Sequence, residues 1–219
     1  MPRVSKWNQP DGDRTFYMKY LSDCLVEAEL NEFFSRELVD AGYASCTLRR
    51  TATTLELTIL CADPAIAQGQ YHYRLHQLEY VIASRLKMNP NSVNIWVDKV
   101  LKRGLSAEIM AENLRAKLEE ALPIRRAAYS IIRTAMKAGA AGCEVVISGK
   151  LRAQRARASK FREGCLISTG HPKRIFLAEA IRHIKMRQGV IGIKVRIYNP
   201  NIKGKVMPDK VEILEQAES

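Results

Sequence analysis

Hydrophobic positions along the first hundred residues follow first a helical spacing and then the alternation of strands. From Leu21 to Gly42, apolar residues stand three and four positions apart, which predicts a helix. Two short alternating runs follow, SCTLRRTATT and LELTILCA. They predict paired strands, and Asp63-Pro64 ends the second because proline cannot donate to a ladder. A helix from about Arg74 to Leu86 and a strand in SVNIWVDKV complete a helix-strand-strand-helix-strand order, which predicts a sheet with one face under helices.

The remaining residues show a second series of elements. Ser106 fits the N-cap of a helix that reaches Leu122, and Pro123 suits the first turn of another helix, which Gly139 closes. Strands are predicted in CEVVISGKL, REGCLISTG and GVIGIKVRIYN. In the last of these, the residues predicted to face a core are Ile191, Ile193, Val195 and Ile197. The stretch IFLAEAIRHIKM fits both periods, so helix and strand stay open there.

Composition narrows the class of protein. The 219 residues are 47% hydrophobic and 26% charged, as in globular proteins, and no apolar run approaches the ~20 residues of a membrane-spanning helix. Residues 1–20 are polar, interrupted by proline and glycine, and without a run of signal-peptide length, so we expect an arm and no export. Five scattered cysteines without a CxxC pair favour reduced, mostly buried thiols over a zinc site or disulfides.

Charge is distributed unevenly. Residues 1–100 hold 11 Lys+Arg and 12 Asp+Glu, a net charge of −1, whereas residues 101–219 hold 24 and 11, a net charge of +13. Such an asymmetry predicts a polyanionic partner, because cationic groups that neutralise phosphates release counterions. A merely soluble basic surface is the alternative. An anionic membrane surface is a third, but the basic half has no Trp for the apolar face of an interfacial helix.

The predicted helix 124–138 carries the first candidate site. At 100° per residue, Ser130, Arg133 and Lys137 lie within about 40° of Arg126, with Arg125 at the edge. The opposite side is apolar and is formed by Ala128, Ile131, Ile132, Ala135 and Met136. An ordinary solvated face would mix charges, yet no Asp or Glu occurs between Glu120 and Glu144. The pattern favours contact with phosphates.

The segment GKLRAQRARASKFREG, residues 149–164, is the second candidate. Its cations are Lys150, Arg152, Arg155, Arg157, Lys160 and Arg162. Arginine suits bidentate phosphate contacts, and the small residues between these cations permit close approach of a partner. Mutual repulsion predicts a loose segment unless a polyanion orders it, and a basic solvated loop is the alternative.

No catalytic constellation is visible. There is no Walker-type loop and no GxSxG motif, and His72 and His76, four apart, more often indicate a helix surface than a metal site. We therefore expect no enzyme, no cofactor and no metal. A nuclease or lyase would need a metal cluster or a lysine with a depressed pKa, and neither is recognisable in the sequence.

Several long segments, in order, resemble the ribosomal protein S three family, the universal KH-domain proteins of the small-subunit head. The segments are IRRAAYSIIRTAMKAGAAGCEVV, SGKLRAQRARASKFREG and RQGVIGIKVRIYNP. VEAELNEFFSRELVDAGY and MPDKVEIL resemble the eukaryotic form. The resemblance covers about residues 24–214.

The resemblance implies an α+β protein in which a type II KH domain precedes a C-terminal α/β domain with a mixed or antiparallel sheet. The expected divisions are an arm at 1–21, the KH domain at 22–101, the basic domain at 102–200 and a tail at 201–219. It also implies a structural role in the small ribosomal subunit, in the cytoplasm, with assembly that can begin in the nucleus. The implied partners are rRNA, mRNA at the entrance of its channel and neighbouring head proteins, and no membrane. The family's arginine pair at that entrance falls on Arg125 and Arg126, with Arg133 and Lys137 on the same helix, and the segment from Lys150 to Arg162 would grip rRNA or line the path.

One departure concerns the Gly-x-x-Gly loop, through which KH domains bring backbone amides to phosphates. It aligns with Gly69-Gln70-Tyr71-His72, so the second glycine is His72, and aromatic residues replace the usual cations. Tyr71, His72 or Tyr73 could stack on a base. We favour instead a KH domain that packs against other proteins. Outside the ribosome, the same basic surface would suit a free RNA- or DNA-binding regulator.

Overall fold

The computed structural model describes residues 16–51, 53–151 and 154–202, and the chain divides into two compact units. The N-terminal unit comprises Met1–Leu101 and the C-terminal unit Lys102–Ser219. The expected arm at 1–21 lies outside the described residues as far as position 15. The tail lies outside them from position 203 onward.

The N-terminal unit is a three-stranded sheet with helices on one face. Its elements are α1 (Phe16–Glu37), β1 (Tyr43–Arg50), β2 (Leu55–Cys61), α2 (Pro64–Gln68), α3 (Tyr73–Leu86) and β3 (Val93–Lys99). The strand order is β1-β2-β3, with β1 antiparallel and β3 parallel to β2. This arrangement confirms the predicted KH-type helix-strand-strand-helix-strand order, to which the structure adds the short helix α2.

The core of this unit lies between α1, α3 and the sheet. Val26, Leu30 and Phe34 recur every four residues on α1, Leu38 follows directly after the helix at the same spacing, and all four are buried. They pack with buried residues of β2 and α3 such as Leu57. The first helix begins at Phe16, five residues before the predicted start at Leu21. The prediction was wrong here because the last helix-breaking residue before the apolar repeat is Gly12, so nothing prevents an earlier start.

The C-terminal unit is a four-stranded antiparallel sheet with two long helices on one face. Its elements are α4 (Ala107–Glu119), α5 (Ile124–Lys137), β4 (Gly142–Gly149), β5 (Arg157–Gly164), α6 (Gly170–Phe176), β6 (Leu177–Met186) and β7 (Gly189–Tyr198). The strand order is β5-β4-β7-β6. Alternate residues of β4 and β7 are buried against the helices, including the four predicted in β7. Cys143 is among them, and burial raises the pKa of its thiol to about 12.

The structure of this unit differs from the sequence-based predictions at one strand and resolves one stretch that they left undecided. The strand predicted at residues 162–170 lies earlier, because the basic segment itself forms β5 and pairs with β4 from Gly149↔Arg157 to Gly142↔Gly164. The expectation of a loose segment was wrong for Arg157–Gly164, since main-chain hydrogen bonds to β4 order this half of the segment whatever its side chains are. The undecided stretch is resolved as the end of α6 followed by the strand β6, which forms a hairpin with β7.

Two glutamates in this unit have opposite electrostatic environments. Glu112 on α4 is half-buried, and its Oε2 lies 3.5 Å from Nε of Arg182 on β6. Burial raises the pKa of Glu112 more than the nearby arginines lower it. Glu179 on β6 accepts a hydrogen bond from Lys194, which lowers its pKa against a smaller opposing effect of burial. The two carboxylates should therefore respond oppositely to pH.

We expect Glu112→Gln and Glu179→Gln to change the pH dependence of stability with opposite signs. A raised folded-state pKa means that the stability contributed by Glu112 is present at acid pH and is lost as pH rises through that pKa. A lowered pKa means that the stability contributed by Glu179 is present at neutral pH and is lost as pH falls. Melting temperatures between about pH 2.5 and pH 7 test this, because the raised pKa of Glu112 lies above the ordinary glutamate value of about 4.3 and the lowered pKa of Glu179 lies below it. Differences from wild type that move in the same direction with pH for both variants would contradict the assignment.

Candidate nucleic-acid interface

The helix α5 separates an apolar face from a cationic one. Its buried residues are Ala127, Ala128, Ile131, Ile132 and Ala135, while Met136 is half-buried. On the opposite side Arg126, Arg133 and Lys137 are exposed, together with Arg125 at the edge. We call these four cations and Ser130 the cationic stripe. Because the apolar face packs on the sheet, the cationic stripe faces away from it.

The cationic stripe borders a shallow surface depression of about 700 Å³. The lining residues are Pro123, Arg125, Arg126, Tyr129, Ser130, Arg133, Thr134 and Lys137. Among the described residues, none of its four cations forms an ion pair with a carboxylate. By contrast Arg115, on the neighbouring helix, is paired with both Glu112 and Glu119. The stripe is therefore available to an external anion, whereas other cations of the same unit are already neutralised.

Two neighbouring side chains that sequence reasoning missed belong to this surface. Lys117 of α4 donates a 2.6 Å hydrogen bond from Nζ to the Ser130 hydroxyl, which adds a fifth cation beside the stripe. Tyr129 packs edge-on against Phe161 of β5, with ring centroids 5.6 Å apart, and remains 38% exposed. The sequence alone could not identify Lys117 as part of this surface, because only the packing of α4 on α5 brings it next to Ser130. Tyr129 carried a signal, since it is the one aromatic residue among the arginines of α5.

The basic segment is divided by its strand conformation. Lys150 follows β4 and Arg155 precedes β5, both exposed, and Arg152 lies outside the described residues. Arg157 begins β5, and the exposed Lys160 and Arg162 lie within it. The nine described cations of the predicted RNA-binding set are thus distributed over a helix, a connecting loop and a strand.

The KH loop has an unusual backbone. Gly69, Tyr71 and His72 all have positive φ, at +70°, +51° and +60°. Two successive non-glycine residues in the left-handed region are uncommon, because the side chain crowds the following carbonyl there. Tyr71 is 96% exposed, so neither contacts with the rest of the unit nor burial explain this conformation.

The cation that follows this loop in the chain, Arg74, is already engaged. Arg74 donates from Nη2 to the carbonyl oxygen of Glu37 at 2.6 Å and from Nη1 to that of Ile66 at 3.5 Å. It therefore ties the start of α3 to the end of α1 and to α2. The loop presents Tyr71, His72 and Tyr73 to solvent instead of cations.

The histidines and cysteines show no catalytic arrangement. His76 pairs with Glu79 on its own helix at 3.0 Å. Residues 16–51, 53–151 and 154–202 contain no group of three potential metal ligands. Over the same ranges no helix is both long and apolar enough to cross a bilayer. Cys46, Cys61 and Cys143 are buried, Cys24 and Cys165 are exposed, and all five are free thiols.

Comparison with known proteins supplies the family. Residues 114–197 match the family described as "Ribosomal protein S3, C-terminal domain". "Small ribosomal subunit protein uS3" of Candida albicans is 46% identical over 201 residues, 90% of this chain and 80% of that protein. The uS3 proteins of Saccharomyces cerevisiae and Schizosaccharomyces pombe are 44% and 43% identical, over 91% of this chain and 85% and 82% of theirs.

With these matches, a KH-type unit followed by a cationic antiparallel unit defines a structural ribosomal protein, not an enzyme. The chain belongs to the uS3 family. This confirms the family that the sequence segments resembled, and the yeast relatives confirm the resemblance to its eukaryotic form. It also confirms the prediction that the protein is not an enzyme.

Proposed function

We propose that the protein is a structural constituent of the head of the small ribosomal subunit in the cytoplasm, where it binds rRNA and lines the entrance of the mRNA channel. The observation that carries the proposal is the cationic stripe. Arg125, Arg126, Arg133 and Lys137 are exposed on one helix without a described carboxylate partner.

The stripe is suited to the phosphates of an RNA strand. Each cation that meets a phosphate releases condensed counterions, so a row of unpaired cations gains affinity that a row of ion-paired ones would not. The packed helix fixes the spacing of the row, because α5 is held to the sheet by five buried residues. Tyr129, partly exposed in the same depression, offers a ring on which an unpaired base can stack.

We further propose that the N-terminal unit contacts neighbouring head proteins and not RNA. Residues 1–100 have a net charge of −1, and its arginines at 36, 50 and 85 pair with carboxylates. Exposed aromatic residues, which are favoured in protein interfaces, stand along the KH loop and α3 at Tyr71, Tyr73 and Tyr80. A protein surface would cover these rings without requiring phosphate contacts.

Sedimentation tests the ribosomal assignment. We expect the tagged full chain, expressed in a yeast cell depleted of its own uS3, to sediment with small subunits in a sucrose gradient at one copy per subunit. Reversing the stripe by Arg133→Glu and Lys137→Glu should lower the amount bound, because two phosphate contacts become repulsive. Wild-type protein that stays at the top of the gradient, yet binds RNA when purified, would favour a free regulator and contradict the proposal.

A further inference from the structure

The sheet of the C-terminal unit has a second face, on the side away from the helices. Strand register arranges its central residues in three rows of four, each row running across β5, β4, β7 and β6. The rows are Ala158-Ser148-Gly192-His183, Lys160-Val146-Lys194-Ile181 and Arg162-Glu144-Arg196-Glu179. We call this set the open sheet face. None of these twelve residues is buried, whereas the helix side of β4 is fully buried at Cys143, Val145 and Ile147.

The carboxylates of the open sheet face are occupied by the cations of β7. Arg196 reaches Glu144 at 3.0 Å and Glu179 at 3.2 Å, and Lys194 also pairs with Glu179. This leaves Lys160 and Arg162 of β5 without a carboxylate partner among the described residues, although Arg162 lies directly opposite Glu144 in the ladder. The face therefore has a neutralised centre and a free cationic edge.

The two free cations have a spacing suited to a nucleic-acid strand. They are two residues apart on one face of a strand, which places their Cα atoms about 7 Å apart. Beside them Ala158, Ser148 and Gly192 form a run of three small residues, in which the Ser148 hydroxyl lies 3.4 Å from the carbonyl oxygen of Gly192. A Cβ on Gly192 would lie 3.1 Å from that hydroxyl. Glycine at this position therefore keeps the surface of these strands free of a projecting side chain. A phosphate backbone can thus approach the strands closely beside the cations.

The composition of the open sheet face favours double-helical RNA over an unpaired strand. Among its twelve residues there is no Phe, Tyr or Trp. Its one ring, the exposed imidazole of His183, lies on β6, at the opposite edge of the sheet from Lys160 and Arg162, so the face offers no ring beside these two cations on which an unpaired base could stack. Double-helical RNA is instead bound through its phosphates and 2′-hydroxyls, which need cations and small polar groups on a surface. The cationic stripe differs, because Tyr129 lies in the depression that the stripe borders.

We propose that the open sheet face is a separate binding surface for double-helical RNA, with Lys160 and Arg162 as its main phosphate contacts. The proposal rests on the proposed function, because it divides RNA binding between two surfaces. The stripe and the open sheet face lie on opposite sides of the sheet, so one RNA segment contacts one of them at a time. The C-terminal unit would then hold an rRNA helix on one side while an unpaired strand passes the other.

Fluorescence anisotropy with the purified full chain tests this proposal. The probes are an RNA duplex of about 16 base pairs and one of its single strands. We expect Lys160→Gln with Arg162→Gln to weaken duplex binding about tenfold, to lower its salt slope by about 2 and to leave single-strand binding within about twofold. Arg126→Gln with Arg133→Gln should do the reverse. Arg49→Gln with Lys99→Gln is the matched control, since it removes the same charges from exposed strand positions of the N-terminal unit.

The outcomes separate this proposal from the proposed function. If the K160Q/R162Q pair loses no more duplex affinity than the control pair, the open sheet face does not bind duplex, and its cations serve only to keep an edge strand from aggregating. Equal losses for both RNAs in every variant would indicate one shared surface and overturn the division. If wild type binds single strands through the stripe but no duplex, the proposed function survives and this inference fails. Binding of neither RNA would overturn both.

Discussion

Replacing both Arg125 and Arg126 by glutamate is expected to lower the affinity of the protein for single-stranded RNA about 100-fold at low salt. A charge-assisted phosphate contact contributes at least about 1.5 kcal/mol, so the loss of two, about 3 kcal/mol, corresponds to a factor of roughly 100. The two side chains are exposed and unpaired among the described residues, so the fold should be unaffected. Binding titrations at several salt concentrations measure the effect, and melting temperature checks the fold. In ribosomes, the same variant should weaken mRNA engagement or alter start-site selection.

A matched control is available in the N-terminal unit. Arg49→Glu with Lys99→Glu gives the same change in net charge at two exposed positions. We expect it to change single-strand affinity by less than about threefold, because only the general field changes. If both charge reversals weaken binding equally, net charge and not the cationic stripe carries the interaction. Unchanged initiation with the R125E/R126E ribosome would contradict the place of the stripe at the mRNA channel.

Replacing Gly142 by alanine is expected to destabilise the protein by about 3 kcal/mol and to lower its melting temperature by about 10 °C. A Cβ at this position would lie 1.9 Å from the carbonyl oxygen of Cys165, closer than any real contact. The oxygen that this Cβ would meet belongs to the backbone, which is held in place by the hydrogen bond from the Cys165 amide to the Ala141 carbonyl at 3.0 Å. The structure can therefore relax only by moving the end of β5 away from β4.

Gly139→Ala is the control for this prediction. Gly139 has a φ of +95°, but a Cβ there would meet nothing within 4 Å. Backbone strain alone should cost about 1 kcal/mol. Thermal or denaturant unfolding of both variants separates the two causes. Equal destabilisation would show that steric overlap at Gly142 is relieved without displacement of β5.

Much of the fold was predictable because local patterns and burial agree. The apolar residues of α5 recur at helical spacing and are buried, and the alternation in β7 matches its buried face. These elements each bury one face against a single core, so periodicity determines their type. The cationic stripe was predictable for the same reason, since fixing the apolar face of α5 also fixes the position of its opposite side.

The strand β6 shows where periodicity alone is insufficient. Its buried residues Ala180 and Ile184 are four apart, a spacing that suits a helix and a strand equally. The residue between them on the same face is Arg182, which interrupts the apolar alternation. Its guanidinium pairs with Glu108 of α4 at 2.5 Å, so a charged residue occupies a strand position that faces the helices. Only the contact with α4 makes that position acceptable.

The amino-acid sequence by itself determined the family, the order of most elements, the neutral and cationic halves and the cationic stripe on α5. The tertiary structure alone decided that the second half of the basic segment is the edge strand β5 and that Lys117 and Tyr129 flank the stripe. It also decided that Lys160 and Arg162 lie on the opposite side of the sheet. The physical reason is that amphipathic periodicity is a local property of the chain. Strand pairing and the choice of ion-pair partners depend on segments that are distant in sequence, and no local pattern records which of them will meet.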